Sequence, residues 1–344
     1  MKSLPRPDLT EIFSAVTKAD ICSLRDFFFK NPTQPLVATG SGGAECSADF
    51  AALLYGTSSG VALSVTPYTL NSLSDAALKT SKLLLVSTSG HNNDIVFAAK
   101  RGLAVNPSGT AMLCLHLGER NKVSELFEKD GSAHTFYFPI PSAPDGFVAS
   151  ITPFKFFALL VRTFDPDCDL SKYFHLPENP FRIEHNDGTT LTLSDFREVK
   201  SFIVLHGSWG RPVAYSLESK LIESGYAAAS VSDFRNLCHG RFIYPSNHLD
   251  DSAIVMLISP REREIAGRIR GFLPANTKLV IIETSEDAPE ASLDLLIRSN
   301  EFFLQLCEAA GVNPDSPKNP GKIDKRAPMS IPFVAELKKN GPLK

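Results

Sequence analysis

The sequence predicts an α/β protein in two similar halves, each a parallel sheet with helices on both faces. Three observations predict it. Leu83-Leu84-Leu85-Val86 is a short apolar run without alternation, the pattern of a strand buried on both faces. Runs of this kind alternate with segments of helical periodicity, as in a parallel sheet built from βαβ units. The outline of the first half also starts again near residue 202, as expected of a chain carrying one unit twice.

In order, residues 9–28 place Ile12, Phe13, Val16, Ile21, Leu24, Phe27 and Phe28 at helical spacing, which predicts one or two helices. Pro35 to Thr39 reads as a strand, and Gly40-Ser41-Gly42-Gly43 turns it into a helix from Ala44 to about Tyr55. Val61 to Val65, Leu83 to Val86, Thr110 to Leu115 and Thr135 to Phe138 read as further strands, and a helix is expected from about Ser150 to Thr163. The stretch from Asp165 to Asp187 is rich in Pro, Asp and Asn and reads as a linker. Phe202 to Gly210 then repeats the outline of Leu36 to Gly43: a strand, Gly-Ser-x-Gly, a helix. Ala253 to Ile258 and Lys278 to Ile282 are strands, and Leu293 to Ala310 is a long amphipathic helix. After Gly311 the pattern breaks into a segment rich in Pro and Lys, either a solvated tail or one that packs over the site. The expected organisation is N-terminal helices over 1–34, a first domain over 35–165, a linker over 166–195, a second domain over 196–312 and a tail over 313–344.

The 344 residues carry a net charge of −3, which gives no electrostatic case for nucleic acid or a membrane as partner. The six cysteines, at 22, 46, 114, 168, 238 and 307, form no C-x-x-C pair. That argues against a disulfide framework or a zinc site and fits a reducing cytosol, so a cytoplasmic protein without metal or cofactor is expected. No apolar run nears the ~20 residues that span a bilayer. Met1 to Pro5 begins no signal peptide, because no apolar stretch follows.

Ser87-Thr88-Ser89-Gly90 closes the Leu83–Val86 strand and opens a helical pattern at Asn92. Backbone amides at a helix start lack partners and face the positive end of the dipole, so small hydroxyl residues there suit an anion such as phosphate. The same residues also suit a plain serine-rich turn with an N-cap. Gly40-Ser41 lies at a second strand end, and ligands of parallel sheets sit beyond such ends. In the second half, Ser259-Pro260-Arg261 stands where the hydroxyl loop was.

Five patches together resemble the sugar isomerase (SIS) family with two tandem SIS domains. That family includes the isomerase half of glucosamine-6-phosphate synthase, ketose/aldose isomerases and fructosamine-6-phosphate deglycases. Ser87-Thr88-Ser89-Gly90 resembles its phosphate loop Ser-Gln-Ser-Gly, with Asn92 where a Thr usually closes it. Gly40-Ser41-Gly42 resembles the first sugar-binding turn, and Val148-Ala149-Ser150 matches its Val-Ala-Ser. Lys220-Leu221-Ile222-Glu223 with His239-Gly240 resembles its Lys-x-x-Glu and His-Gly, and Pro317 to Lys322 resembles its tail. Each domain is then expected to be a doubly wound, flavodoxin-like three-layer unit. The glutaminase domain of the full synthase is not matched: Lys2 follows Met1, and about 34 residues precede the first strand.

The resemblance implies a phosphosugar-acting enzyme without cofactor or metal, whose substrate is held by Gly40, Ser41, Gly42, Ser87, Thr88, Ser89, Asn92, Val148, Ala149 and Ser150. Glu223 would carry a proton between adjacent carbons, the task of a positioned carboxylate. Lys220, three residues earlier on one helix face, would either pair with Glu223 at the surface or hold the enediolate charge. His239 would open the sugar ring and reach the site of a neighbouring subunit, which implies a homodimer. Lys322 would approach the open-chain carbonyl. A sensor that binds a sugar phosphate without turning it over is the alternative.

Overall fold

The computed structural model describes residues 4–116, 121–143 and 145–318. Lys322 and the expected tail beyond Lys318 lie outside the described residues. The elements in chain order are α1 (Leu9–Lys18), α2 (Cys22–Phe29), β1 (Leu36–Gly40), α3 (Glu45–Ser58), β2 (Ala62–Val65), α4 (Pro67–Leu70), α5 (Asp75–Thr80), β3 (Lys82–Ser87), α6 (Asn93–Val105), β4 (Thr110–Cys114), α7 (Lys122–Asp130) and β5 (His134–Tyr137). There follow α8 (Thr152–Phe164), β6 (Arg182–His185), β7 (Ser201–His206), α9 (Arg211–Glu223), β8 (Ala228–Asp233), α10 (Phe234–Asn236), α11 (Ile243–Asn247), β9 (Ser252–Ile258), α12 (Arg263–Arg270), β10 (Lys278–Glu283) and α13 (Glu290–Ala310).

The chain divides into two compact units. The first holds Ala19 to Ile140, and the second holds α1 and the stretch from Pro141 to Pro317. The two N-terminal helices therefore fall in different units, and α8 belongs with the second sheet. Residues 166–195, expected as a linker, contain β6 and two 3₁₀ turns, and β6 pairs antiparallel with β10.

The first sheet is parallel throughout, in the order β2-β1-β3-β4-β5. Its inner strands β1, β3 and β4 are buried along their whole length, as their unbroken apolar runs require. Leu83, Leu85, Val37 and Met112 pack with Ile95, Ala98 and Ala99 of α6 and with Val123 and Phe127 of α7. α3 packs on β1 and β3.

The second sheet runs β6-β10-β9-β7-β8. Read from β8, its four parallel strands follow the order of the first sheet; only β6 is antiparallel, so this sheet is mixed rather than purely parallel. Ile254, Met256, Ile203, Leu205, Leu279 and Ile281 pack with Ala266 and Ile269 of α12. The fold class is thus α/β with two sheets of flavodoxin-like order. Among the described residues no helix is long and apolar enough to cross a membrane.

Candidate functional site

β3 carries Ser87, buried, to the carboxyl edge of the first sheet. Its Oγ accepts the Gly90 amide at 3.0 Å, which closes a tight turn over Thr88 and Ser89. Gly90 has φ +65°, and a Cβ there would lie 2.3 Å from Asn121 Oδ1, so the turn requires glycine. Asn121 donates from Nδ2 to the Ser89 carbonyl at 2.6 Å and caps α7 by accepting the amides of Val123 and Ser124. The Thr88 carbonyl accepts the amides of Leu115 and His116, at 3.1 and 2.8 Å. The loop is therefore held by its carbonyls. The amides of Ser89, His91 and Asn93 meet no acceptor among the described residues.

Asn92 caps α6 by accepting the Asp94 amide at 2.8 Å. Ser41, after β1, donates to Asp94 Oδ2 at 3.1 Å and accepts from Asn92 Nδ2 at 3.4 Å. These two residues tie the β1 turn to the start of α6. Gly40 leaves no room for a side chain, since a Cβ would lie 2.5 Å from the Ala44 carbonyl oxygen, and Gly42 has φ +57°. Gly40, Ser41, Gly42, Ser87, Thr88, Ser89 and Asn92 are thus brought together at one sheet edge of the first unit.

The other expected residues that are described lie in the second unit. Val148, buried, and Ala149 and Ser150, half-buried, precede α8. Asp145 accepts the amides of Ser150, Ile151 and Thr152 at 2.8, 2.5 and 3.0 Å, so the chain's own carboxylate fills the N-terminus of α8. Glu223 is the last residue of α9, half-buried, and its Oε1 accepts from Ser219 Oγ at 2.6 Å. Lys220 is 3% exposed, and its Nζ donates to Asn300 Oδ1 on α13 at 3.0 Å. It therefore points inward rather than lying at the surface. Burial, with the nearby Glu223 charge, raises Glu218 above the usual carboxylate range. His239 is exposed in the turn Leu237–Arg241, which Gly240 bends at φ +105°.

The turn after β9 is the second unit's counterpart of the hydroxyl loop, and it is filled. Glu262 Oε2 accepts the Ser259 amide at 3.0 Å and the Ser259 hydroxyl. A Cβ on Gly207, in the turn after β7, would lie 1.9 Å from Glu262 Oε1. A buried carboxylate of the chain thus sits between the two turns. Burial lowers the pKa of neighbouring His206, whose Nδ1 pairs with the Gly207 carbonyl at 2.8 Å.

Sequence reasoning missed Asn121, Asp145, Asn300 and Glu262. Only Glu262 had a readable signal, the Ser-x-x-Glu spacing of a capping box at Ser259. Among the described residues no cluster of His, Cys, Asp or Glu is placed to hold a metal ion.

These two sheets, with a hydroxyl loop at the carboxyl edge of one, define the tandem sugar-isomerase-domain fold, and solved structures share it along most of the chain. Tagatose-6-phosphate ketose/aldose isomerase from Escherichia coli is similar at 16% identity, with 92% of this chain and 95% of that one covered and a TM-score of 0.67. Glucosamine-6-phosphate deaminase from Thermotoga maritima shares 16% identity over 91% and 97% of the two chains, with a TM-score of 0.62. The C-terminal domain of glucosamine-fructose-6-phosphate aminotransferase from Francisella tularensis shares 13% over 90% and 95%, with a TM-score of 0.61. No family model and no curated protein sequence matches the chain significantly.

Proposed function

We propose that the chain acts on a phosphorylated sugar: an aldose/ketose isomerase, or a deaminase or deglycase, taking a hexose or amino-sugar 6-phosphate. The observation that carries this reading is the start of α6. There, the loop before the helix carries the hydroxyls of Thr88 and Ser89 and three amides without acceptors among the described residues, those of Ser89, His91 and Asn93. The start of α8 is filled by Asp145, and the second unit's counterpart of the hydroxyl loop, the turn before α12, is filled by Glu262. Neighbours of the same fold that act on sugar 6-phosphates support the substrate class.

In this reading the phosphate sits on Ser87, Thr88 and Ser89 and fixes the register of the sugar. Glu223 removes the proton from C2 of an open-chain aldose, the electron pair forms the C1–C2 double bond as O1 takes a proton to give the enediol, and the proton then returns to C1 while O2 gives up its own proton to become the ketose carbonyl. The exchange is internal and needs no oxidant. Ser41 and Asn92 hold the loop in place, since each is already bonded to the other. Lys220 positions α9 against Asn300. His239 protonates the ring oxygen at the site of a second copy in a homodimer, and Lys322 approaches the carbonyl. The competing reading, a sensor that binds without turnover, is favoured by the inward-facing Lys220, whose ammonium is held by Asn300.

The test is Glu223→Gln against a panel of hexose and fructosamine 6-phosphates. Turnover should fall roughly 10²–10⁴-fold, the worth of a positioned acid–base, while calorimetric binding of the sugar phosphate is kept. Unchanged turnover removes Glu223 from the mechanism. Binding by the wild type without turnover of any sugar establishes the sensor.

A further inference from the structure

β8 is the outermost strand of the second sheet, and among the described residues it pairs only with β7. It has six residues, against four in each of the other edge strands, β2, β5 and β6. The Ala228 amide bonds the Lys200 carbonyl, on the β7 side, at 3.0 Å. Successive residues of a strand point their backbone groups to opposite sides. Ala228, Ser230 and Ser232 therefore turn theirs to β7, while Ala229 and Val231 turn theirs to the open edge. The amides of Ala229 and Val231 meet no acceptor among the described residues.

An open edge is a template for another strand, and proteins blunt such edges with charges, prolines or bulges. β6, at the opposite edge, carries Arg182, Glu184 and His185. From Ala227 to Ser232 the β8 edge holds only Ala, Ser and Val, and its first charge is Asp233. Ala228 and Ser230 are exposed and small, so a second strand can lie close. The outward donors and acceptors of Ala229 and Val231 match those of an identical strand run antiparallel.

The helix beside this edge selects the occupant. α9 packs on β8 and leaves Tyr215 45% and Ile222 48% exposed, about two helical turns apart. Strands paired at about 4.8 Å bring the helices lying over them to roughly 8–10 Å, the spacing of packed helices. About a two-fold axis α9 meets its own copy antiparallel, and Tyr215 of each falls opposite Ile222 of the other. Glu218, between them, then falls opposite Ser219 rather than its own copy. The two ends of β8 differ as well. α9 ends at Glu223 near the amino end, and His239 follows the carboxyl end. The strand keeps those ends about 20 Å apart within one chain.

We propose that β8 pairs antiparallel with β8 of a second copy about Ser230, with α9 packing against its own copy alongside. Ala229 of each copy exchanges two main-chain hydrogen bonds with Val231 of the other, and the two five-stranded sheets become one. The pairing also sets Glu223 of one copy at the end that holds His239 of the other; that consequence alone rests on the function proposed above.

The test is cross-linking of the full chain with the exposed Cys22 and Cys238 replaced by Ser. In the proposed register Ser230 faces Ser230 of the second copy as a non-hydrogen-bonded pair, with Cα atoms about 4.5 Å apart, within disulfide reach. Ala228 faces Ser232 instead, so the two Ala228 residues lie roughly 13 Å apart. In a glutathione redox buffer Ser230→Cys should give a covalent dimer and Ala228→Cys should not. In sedimentation the wild type should be a dimer. Ala229→Pro deletes an edge amide without touching the β7 ladder, and should dissociate at least about tenfold more readily with an unchanged far-UV spectrum. A monomeric wild type overturns the proposal. So does a dimer that Ser230→Cys fails to lock, or one that Ala228→Cys locks equally well. Should Ala229→Pro unfold, the two cysteine variants decide. No sugar enters any of these readouts, so a negative result leaves the phosphosugar reading standing, and a locked dimer that turns over no sugar phosphate leaves the strand pairing standing.

Discussion

Lys82 opens β3 inside the first unit at 4% exposure. Its Nζ donates to the Phe28 carbonyl at 2.7 Å and lies 5.8 and 5.4 Å from the ring centroids of Phe27 and Tyr55. The carbonyl and the ring faces favour the ammonium. Burial opposes it more strongly and lowers the pKa to about 8. The unfolded chain keeps this proton up to the ordinary lysine value, so between about pH 8 and 10 the unfolded state binds more protons and stability rises with pH. Below pH 8 both states are charged and that contribution is lost. Since the rings offset part of the desolvation, the rise should be on the order of 1–2 kcal/mol. Urea unfolding at pH 7 and pH 9.5 should show this gain in the wild type and lack it in Lys82→Met; parallel profiles for the two proteins refute it. None of this was legible in the sequence, where a lysine ahead of an apolar run reads as an exposed strand boundary. Ser87's place at a strand end was legible from the apolar run before it, whereas Glu223 was singled out only through the family resemblance, and its role belongs to the proposal. Asp145 and Asn300 were not legible, since their partners are distant backbone or another helix.

At the scale of elements, every strand of the first sheet was readable, edges included, whereas in the second sheet only the strands buried on both faces were. β1, β3, β4, β7, β9 and β10 are apolar runs, and each is found within a residue or two of its expected bounds. β6 and β8 carry mostly polar or small residues and are only partly buried, so they leave no apolar run to read; they lie inside the expected linker and in the stretch after α9. Helix starts differ from one another in what answers their amides. α6 leaves loop amides open, whereas Glu262 closes the turn before α12 and packs against Gly207. Glu262→Ala would strip the Ser259 amide and hydroxyl of their partner inside a buried turn. It should cost about 1–3 kcal/mol in chemical denaturation, the penalty of leaving buried donors unpaired. Sugar-phosphate binding at the α6 loop, in the other unit, should be unchanged. A loss of binding equal to that from altering Ser87 would mean that the two turns act together.

For the molecule as a whole, the shared order of the four parallel strands in each sheet explains why the second half read as a restart of the first. It also explains why the counterpart loops were easy to locate but their contents were not: strand order places a loop at a sheet edge, and local side chains decide whether that edge is open or filled. The proposed assembly makes a sharper demand. If His239 serves the neighbouring copy, each site takes Glu223 from one chain and His239 from the other. Glu223→Gln and His239→Ala homodimers should then both be nearly inactive. Mixing them in equal amounts and letting subunits exchange makes half of the dimers heterodimers, each with one site that has both wild-type residues. Activity should therefore recover to about a quarter of the wild-type value. If His239 works within its own chain, every site in the mixture lacks one of the two residues and activity stays at the level of the parents. Sedimentation before and after mixing shows whether dimers formed and exchanged, so a flat result with exchange demonstrated removes the shared site.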